Sequence, residues 1–255
     1  MLKSASTKTL FFSIVLFAGS LVCTAQPELV VDPNAELRSL DGHFNRIEVS
    51  HGIDLYLSQS ENEAIAVSAS EDRYRSSIRT EIKNGVLMIS YQGERLMNIG
   101  NKKLRAYVSF KNLRFIEASG SSGVLVQGVI SVPALALELS GSSDFKAAIK
   151  VDELSINLSG SSDVNISGTA GTVKISSSGA SDVKAYGLIA EICTAETSGA
   201  SDIQITVNKE LSAEASGASY IYYKGNPTVK QKEVSGSSKI RQVTGKEEDA
   251  DGPLP

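Results

Sequence analysis

The stretch "LSGSSDVNISG", Leu158–Gly168, decides the fold, because its centre is rewritten along the second half of the chain: "LSGSSDF" from Leu139, "SSGASDV" from Ser177 and "TSGASDI" from Thr197. With the glycine as position zero, the copies centre on Gly120, Gly141, Gly160, Gly179, Gly199, Gly217 and Gly236, separated by 21, 19, 19, 20, 18 and 19 residues. A serine stands just before each glycine and another two places after it, from Ser119 and Ser122 to Ser235 and Ser238. A near-constant period in this range marks a solenoid or an array.

The flanks alternate with period two. Leu135, Leu137 and Leu139, then Leu154, Ile156 and Leu158, precede the glycine at even offsets; Val164 and Ile166, Val183 and Ala185, Ile203 and Ile205 follow it. This is strand periodicity with β-branched residues prominent, and no 3.6-residue period competes with it. Each unit therefore reads as strand, small polar corner, strand and turn, with turns at "SGTAGT" from Ser167 and "YKGNPT" from Tyr223.

Such units suit an antiparallel meander or a parallel β-helix. In a β-helix each offset stacks on the same offset of the next coil, about 4.8 Å away, so a residue that fits the corner once fits it in every coil. Strict identity at −1, 0 and +2 predicts this arrangement. The expected class is all-β: a right-handed parallel β-helix or β-solenoid with coils of about 19 residues over 113–243, preceded by less regular β structure with a hairpin.

The corner letters are structural on this reading. Glycine turns the backbone with no Cβ in the way, and small serines fit a tight bend while their hydroxyls bond along the stack or to backbone. No His or Lys recurs beside them to activate a nucleophile. One corner position carries charge: Asp144, Asp163, Asp182 and Asp202 occupy +3 in four consecutive units, before Tyr220 and Lys239. Stacked carboxylates repel by roughly 1 kcal/mol per pair even at the dielectric of water. Capping of backbone N–H groups within each Asp's own turn explains such a column, and a weak Ca²⁺ site is the functional alternative. No other cofactor is expected.

Upstream, "IAVSAS", "IRTEI" and "VLMISY" alternate, and "KNG" at Lys83–Gly85 is the hairpin turn expected between the last two. "IEVSHGIDLYLSQ" from Ile47 aligns without gaps to "IEASGSSGVLVQG" from Ile116, which sets His51 opposite Gly120 and Asp54 opposite Gly123. It reads as a degenerate eighth copy, so one continuous β body is expected. His51 at a corner reads as a packed or surface residue. Cys193, at an inward offset, reads as a small buried hydrophobe. Tyr220, Tyr222 and Tyr223 read as a cap on the open end of the core, with a sugar-stacking patch as the alternative.

Residues 1–25 read as an export signal. Lys3 and Lys8 precede the apolar run Leu10–Val22, and Cys23 and Ala25 are small residues before a cleavage point at Gln26. Thirteen residues fall short of the roughly 20 needed to span a bilayer, so no span is expected after cleavage. Losing two lysines takes the formal charge from −4 to −6 (−4 minus 2), which gives no electrostatic reason to bind nucleic acid. Cys193 is then the one remaining cysteine, so packing rather than a disulfide must stabilise the chain. A linker is expected over 26–39 and a disordered tail, "KEEDADGPLP", within 244–255.

"FNRIEVSHGIDLYLSQSENEAIAVSAS", "IRTEIKNGVLMISY" and the repeats from "LRFIEASGSSGV" to "SGASDI" resemble the GIN domain, ascribed to the heads of auto-transporter adhesins and common in Bacteroidota. The similarity covers about residues 40–243, with Gly52, Ile53 and Asp54 where that family tends to carry Gly-Ile-Asn. It implies an exported β-helical protein and provides no catalytic residue. The expected function is a non-enzymatic surface or envelope binding protein, an adhesin, in the periplasm or at the surface of a Gram-negative cell. Host or matrix glycans or proteins are the expected partners. A structural, envelope-maintenance protein is the first alternative and a β-helix carbohydrate-active enzyme the second, though the sequence shows no clustered acids, bases or ligands beyond the Asp column.

Overall fold

The computed structural model describes residues 32–93 and 102–244. The expected signal segment and all but the first residue of the expected tail lie outside the described residues. Strands dominate: β1 (Glu36–Arg38), β2 (Arg46–Val49), β3 (Asp54–Gln59) and β4 (Ala64–Ser68) precede one short helix, α1 (Asp72–Ser76). After it come β5 (Ile78–Lys83), β6 (Val86–Tyr91), β7 (Arg105–Phe110), β8 (Phe115–Ala118), β9 (Gly123–Ser131) and β10 (Ala134–Leu139). Four long strands follow, β11 (Asp144–Leu158), β12 (Asp163–Ser177), β13 (Asp182–Thr197) and β14 (Asp202–Ala215), then β15 (Tyr220–Lys224), β16 (Thr228–Val234) and β17 (Lys239–Gln242).

The pairing is that of a β-solenoid. Within β11, Asp144–Lys150 pairs in parallel with β9 and Glu153–Leu158 with β10, so one strand serves both sides of the corner. β12, β13 and β14 stack on it in turn, in parallel and with like offsets matched, as in Leu154↔Val173, Val173↔Cys193 and Cys193↔Leu211. β15 and β17 continue the side after the corner, and β16 continues the side before it. The meander is thereby excluded: β8 to β17 run parallel.

The interior consists of these matched columns. Leu137, Ile156, Ile175, Ala195 and Ala213 lie one above another and are fully buried, so the side chains shrink along the stack. Alternation places every second residue in this core, each large aliphatic contributing about 1.5–3 kcal/mol. Cys193 is buried in its column, and burial pushes its thiol up to about 12, as expected of a small hydrophobe rather than a reactive thiol.

The first half joins the same stack in a different order. β2 pairs with β8 through Ile47↔Ile116 and β3 with β9 through Leu55↔Val124, the register of the gap-free alignment. On their far side β2 pairs with β6 and β3 with β7, again in parallel. The coil made by β6 and β7 therefore lies beyond the one that precedes it in sequence. The hairpin at Lys83–Gly85 forms as expected: β5 and β6 are antiparallel across Asn84 and Gly85, both at positive φ, 53° and 77°. β4 runs antiparallel to β7 and β1 to β4, and together with β5 they seal this end. Residues 36–38, inside the expected linker, thus contribute a strand.

Candidate functional site

The corner column organises the surface. All seven corner glycines have φ between 73° and 87°, in the left-handed region that other residues enter at about 1–2 kcal/mol each. From Gly141 onward, the N–H after each glycine donates to the carbonyl of the glycine one coil back, as from Ser161 to Gly141 at 2.7 Å and from Ala200 to Gly179 at 2.7 Å. The backbone ladder therefore runs round the bend unbroken. The serines at +2 point inward and are buried. The Ser162 hydroxyl donates to Ser159 O at 3.1 Å, while the Ser162 N–H donates to Ser181 Oγ at 3.1 Å. Apart from that of Ser122, which has no partner, these hydroxyls are engaged with backbone, and none meets a proton-accepting side chain.

At the eighth copy His51 keeps the corner conformation, φ 66°, and lies beneath Gly120. It is exposed, and its Nδ1 is 2.7 Å from Ser50 Oγ. Among the described residues no carboxylate partners this ring, so the pair lacks the third group that would orient a base.

Outward, Asp144, Asp163, Asp182 and Asp202 stand in register on neighbouring strands, as alternation across the bend predicts. The column reaches further than the four: Gly123 precedes Asp144 and Asp54 lies one coil beyond Gly123. Asp202 Oδ1 accepts the Tyr220 N–H at 3.1 Å, so its capping partner belongs to the next coil rather than to its own turn. Burial first, then the Asp182 charge, lifts the Asp202 carboxyl above its ordinary range, against the pull of that hydrogen bond. Burial likewise lifts Asp54, opposed by Arg105 and the Gly123 N–H and reinforced by Asp144. Among the described residues no three His, Cys, Asp or Glu side chains gather as a metal-holding group.

A second acidic column was missed in the sequence. At −3 stand Glu48, Glu117 and Glu138, then Asn157 and Ser176, then Glu196, Glu214 and Glu233. The interruption hides the pattern from a reader of letters. Burial, then Glu48 and Glu138, raises the Glu117 carboxyl. Between this column and the serines at −1 runs a groove of about 450 Å³, from Asn157 and Ser178 to Glu233 and Ser235; it continues through Leu158 into a space of about 180 Å³ beside Glu117 and Ser140. On the other side of the corner a trough of about 400 Å³ opens over Gly123, flanked by Asp54, Tyr56, Leu125, Asp144 and Lys146. Serine hydroxyls, carboxylates and a few cations thus repeat along two faces of the stack.

The tyrosines divide. Tyr223 is buried, consistent with an end cap, whereas Tyr220 and Tyr222 face outward and stack with ring centres 5.9 Å apart. At the other end Tyr56 stacks on Tyr107 at 5.1 Å, and the Tyr107 hydroxyl donates to Asp32 Oδ2 at 2.8 Å. Arg105 adds a contact to the same oxygen at 3.3 Å. This second aromatic pair had no signal in the sequence, because Tyr56 and Tyr107 are 51 residues apart (107 minus 56).

Solved structures share this architecture. A "putative adhesin" of Bacteroides fragilis superposes with a TM-score of 0.76 at 22% identity, covering 83% of this chain and 98% of its own. One of Parabacteroides distasonis gives 0.67 at 22%, covering 82% and 96%. A "putative lipid binding protein" of the latter organism gives 0.65 at 19%, covering 84% and 98%. At these identities the likeness establishes the fold alone. No match is found among curated proteins. A family model matches residues 43–227, most of the stack from β2 to the turn after β15, and the chain therefore belongs to the family described as "putative auto-transporter adhesin, head GIN domain".

Proposed function

We propose that this is an exported, non-enzymatic binding protein of the cell envelope or surface, an adhesin that engages host or matrix glycans or proteins along the outside of its solenoid. The observation that carries the reading is the repetition of outward polar columns, above all the groove bounded by Glu and Ser columns on successive coils. A repeating ligand laid along the stack meets the same chemistry at every coil, so weak contacts add by effective concentration. An enzyme concentrates its chemistry at one place instead. Export rests on the sequence of residues 1–25, and location at the periplasm or the surface follows from it.

The test is an array of glycans and matrix proteins probed with the mature chain, beside protease accessibility of the protein on intact cells. Selective binding to one ligand class by a surface-accessible protein is expected. Binding to nothing, by a protein shielded from protease, would favour the envelope-maintenance reading.

A further inference from the structure

The fold does not require the trough over Gly123. Unlike the corner glycines, Gly123 has no left-handed φ, so backbone strain does not call for glycine there. A β-carbon on it would come near a single atom, Asp54 Oδ1 at 3.1 Å, the end of a flexible side chain. The neighbouring coils fill this outward offset, with Arg105 and Asp54 on one side and Asp144, Asp163, Asp182 and Asp202 on the other. One missing side chain thus leaves a gap in the outer row, and the space of about 400 Å³ opens over it.

The two rims of that space differ in chemistry. One is the acid row, in which Asp54 is held at the gap by accepting the Gly123 N–H. The other is the row two residues further along each strand, Tyr56, Leu125, Lys146, Asn165 and Lys184. No hydrogen bond or ion pair engages the side chains of Asp144, Lys146, Asn165 or Lys184 among the described residues. Leu125 is 38% exposed, at an offset that the next coils fill with Lys146 and Asn165. Tyr107 covers one face of the Tyr56 ring, 5.1 Å between centres, so the other side is turned towards Leu125 and the trough. Because Asp32 braces Tyr107, this platform is fixed before anything binds.

An occupant must offer hydrogen-bond donors to the acid row, acceptors to Lys146, Asn165 and Lys184, and an apolar face to Tyr56 and Leu125. A sugar meets all three demands. Its hydroxyls both donate and accept, and bonds to ionised partners are the stronger kind. The C–H face of a pyranose ring supplies the apolar surface that an aromatic side chain takes. A polyanion would meet the carboxylates of Asp54, Asp144 and Asp163, and a polycation would meet Lys146 and Lys184. An extended peptide alternates donors and acceptors at about 3.3 Å per residue, out of step with rows of like groups about 4.8 Å apart. The trough crosses β3, β9, β11, β12 and β13, a length of about 19 Å at that spacing, with room for sugar rings in line.

We propose that the trough over Gly123 is a subsite for a neutral oligosaccharide, with one pyranose ring seated over Gly123 against Tyr56 and Leu125 and its hydroxyls shared among Asp54, Asp144 and Lys146. The assignment rests on the reading of this chain as a binding protein, but not on the groove of Glu and Ser columns across the corner.

Isothermal titration calorimetry of the mature chain tests this with cellotetraose, maltotetraose, mannotetraose and N-acetylchitotetraose, beside tetragalacturonate and a glucosamine tetramer as charged probes. At least one neutral tetrasaccharide should bind, and more tightly than either charged probe. Gly123→Asn fills the gap, and Lys146→Ala removes an exposed donor that holds nothing in the fold. Each should weaken binding about tenfold, and Lys146→Ala should keep the wild-type thermal midpoint. Binding of no neutral probe overturns the proposal, as does a preference for a charged one. Undiminished binding by both variants also overturns it, yet leaves the chain a glycan-binding protein whose ligand sits elsewhere on the stack. The adhesin reading itself falls only to the array and protease experiment.

Discussion

A β-carbon placed on Gly160 would lie 2.5 Å from the carbonyl oxygen of Gly141 one coil below, the same oxygen that accepts the Ser161 N–H at 2.7 Å. Positive φ and a backbone wall both demand glycine here. Gly160→Ala should lower stability by at least about 2 kcal/mol, combining roughly 1–2 kcal/mol for the left-handed conformation with displacement of the ladder. The midpoint should fall by about 4–8 °C in a thermal melt. His51→Gly is the control: relief of the left-handed strain is offset by about 0.5–1 kcal/mol of added chain entropy, so its midpoint should barely move.

The buried serines make a second contrast. Ser181 Oγ accepts the Ser162 N–H at 3.1 Å and donates to Ser178 O at 3.2 Å, whereas Ser122 Oγ is buried with no partner. Ser181→Ala strands a buried N–H and should destabilise by about 1–3 kcal/mol. Ser122→Ala removes an orphaned hydroxyl and should be neutral or stabilising. Paired urea titrations decide it, and equal losses at the two positions would contradict the ladder.

What the letters disclosed depended on stacking. Identity at −1, 0 and +2 was legible because each corner packs on its own copy, and Ile47 could be matched to Ile116 for the same reason. The place of β6 and β7 was not legible, since the sequence between Tyr91 and Arg105 carries none of the repeated corner letters. The Glu column was masked by Asn157 and Ser176: a surface offset tolerates any polar residue, whereas Gly160 meets a wall. The brace of Asp32 on Tyr107 joins residues 75 apart, a distance over which no local pattern speaks.

That brace has a pH signature. Burial, then the hydrogen bond and charge of Asp32, pushes the Tyr107 phenol from its ordinary 10 up to about 12, against the pull of Arg105. The folded state therefore holds this proton more tightly than the unfolded chain. The stability it contributes is complete below about pH 10 and is lost as pH rises through about 12. Absorbance titration should show a tyrosine ionising near pH 12, and Tyr107→Phe should remove that step and flatten the alkaline decline in urea midpoint. A wild-type decline that ends by about pH 10 would count against the brace.

The Asp column offers the opposite sign. Asp182 lies between Asp163 and Asp202, and each neighbouring pair repels by on the order of 1 kcal/mol at water's dielectric. Burial, then Asp182, raises the Asp202 carboxyl, so ionised Asp202 weighs against folding above its raised value, and the burden lifts as pH falls through that value towards 3.8. Asp182→Asn should therefore raise the midpoint by about 2–4 °C near neutral pH in low salt, with the gain fading in 1 M salt and in acid. Calcium separates the two readings of the column. Asp202 already accepts the Tyr220 N–H, and no group of three candidate ligands converges among the described residues, so the expected result is a midpoint indifferent to millimolar calcium. A calcium-dependent rise that disappears in the Asp163→Asn/Asp182→Asn double variant would assign the column to a cation and show that the carboxylates repel only until an ion bridges them.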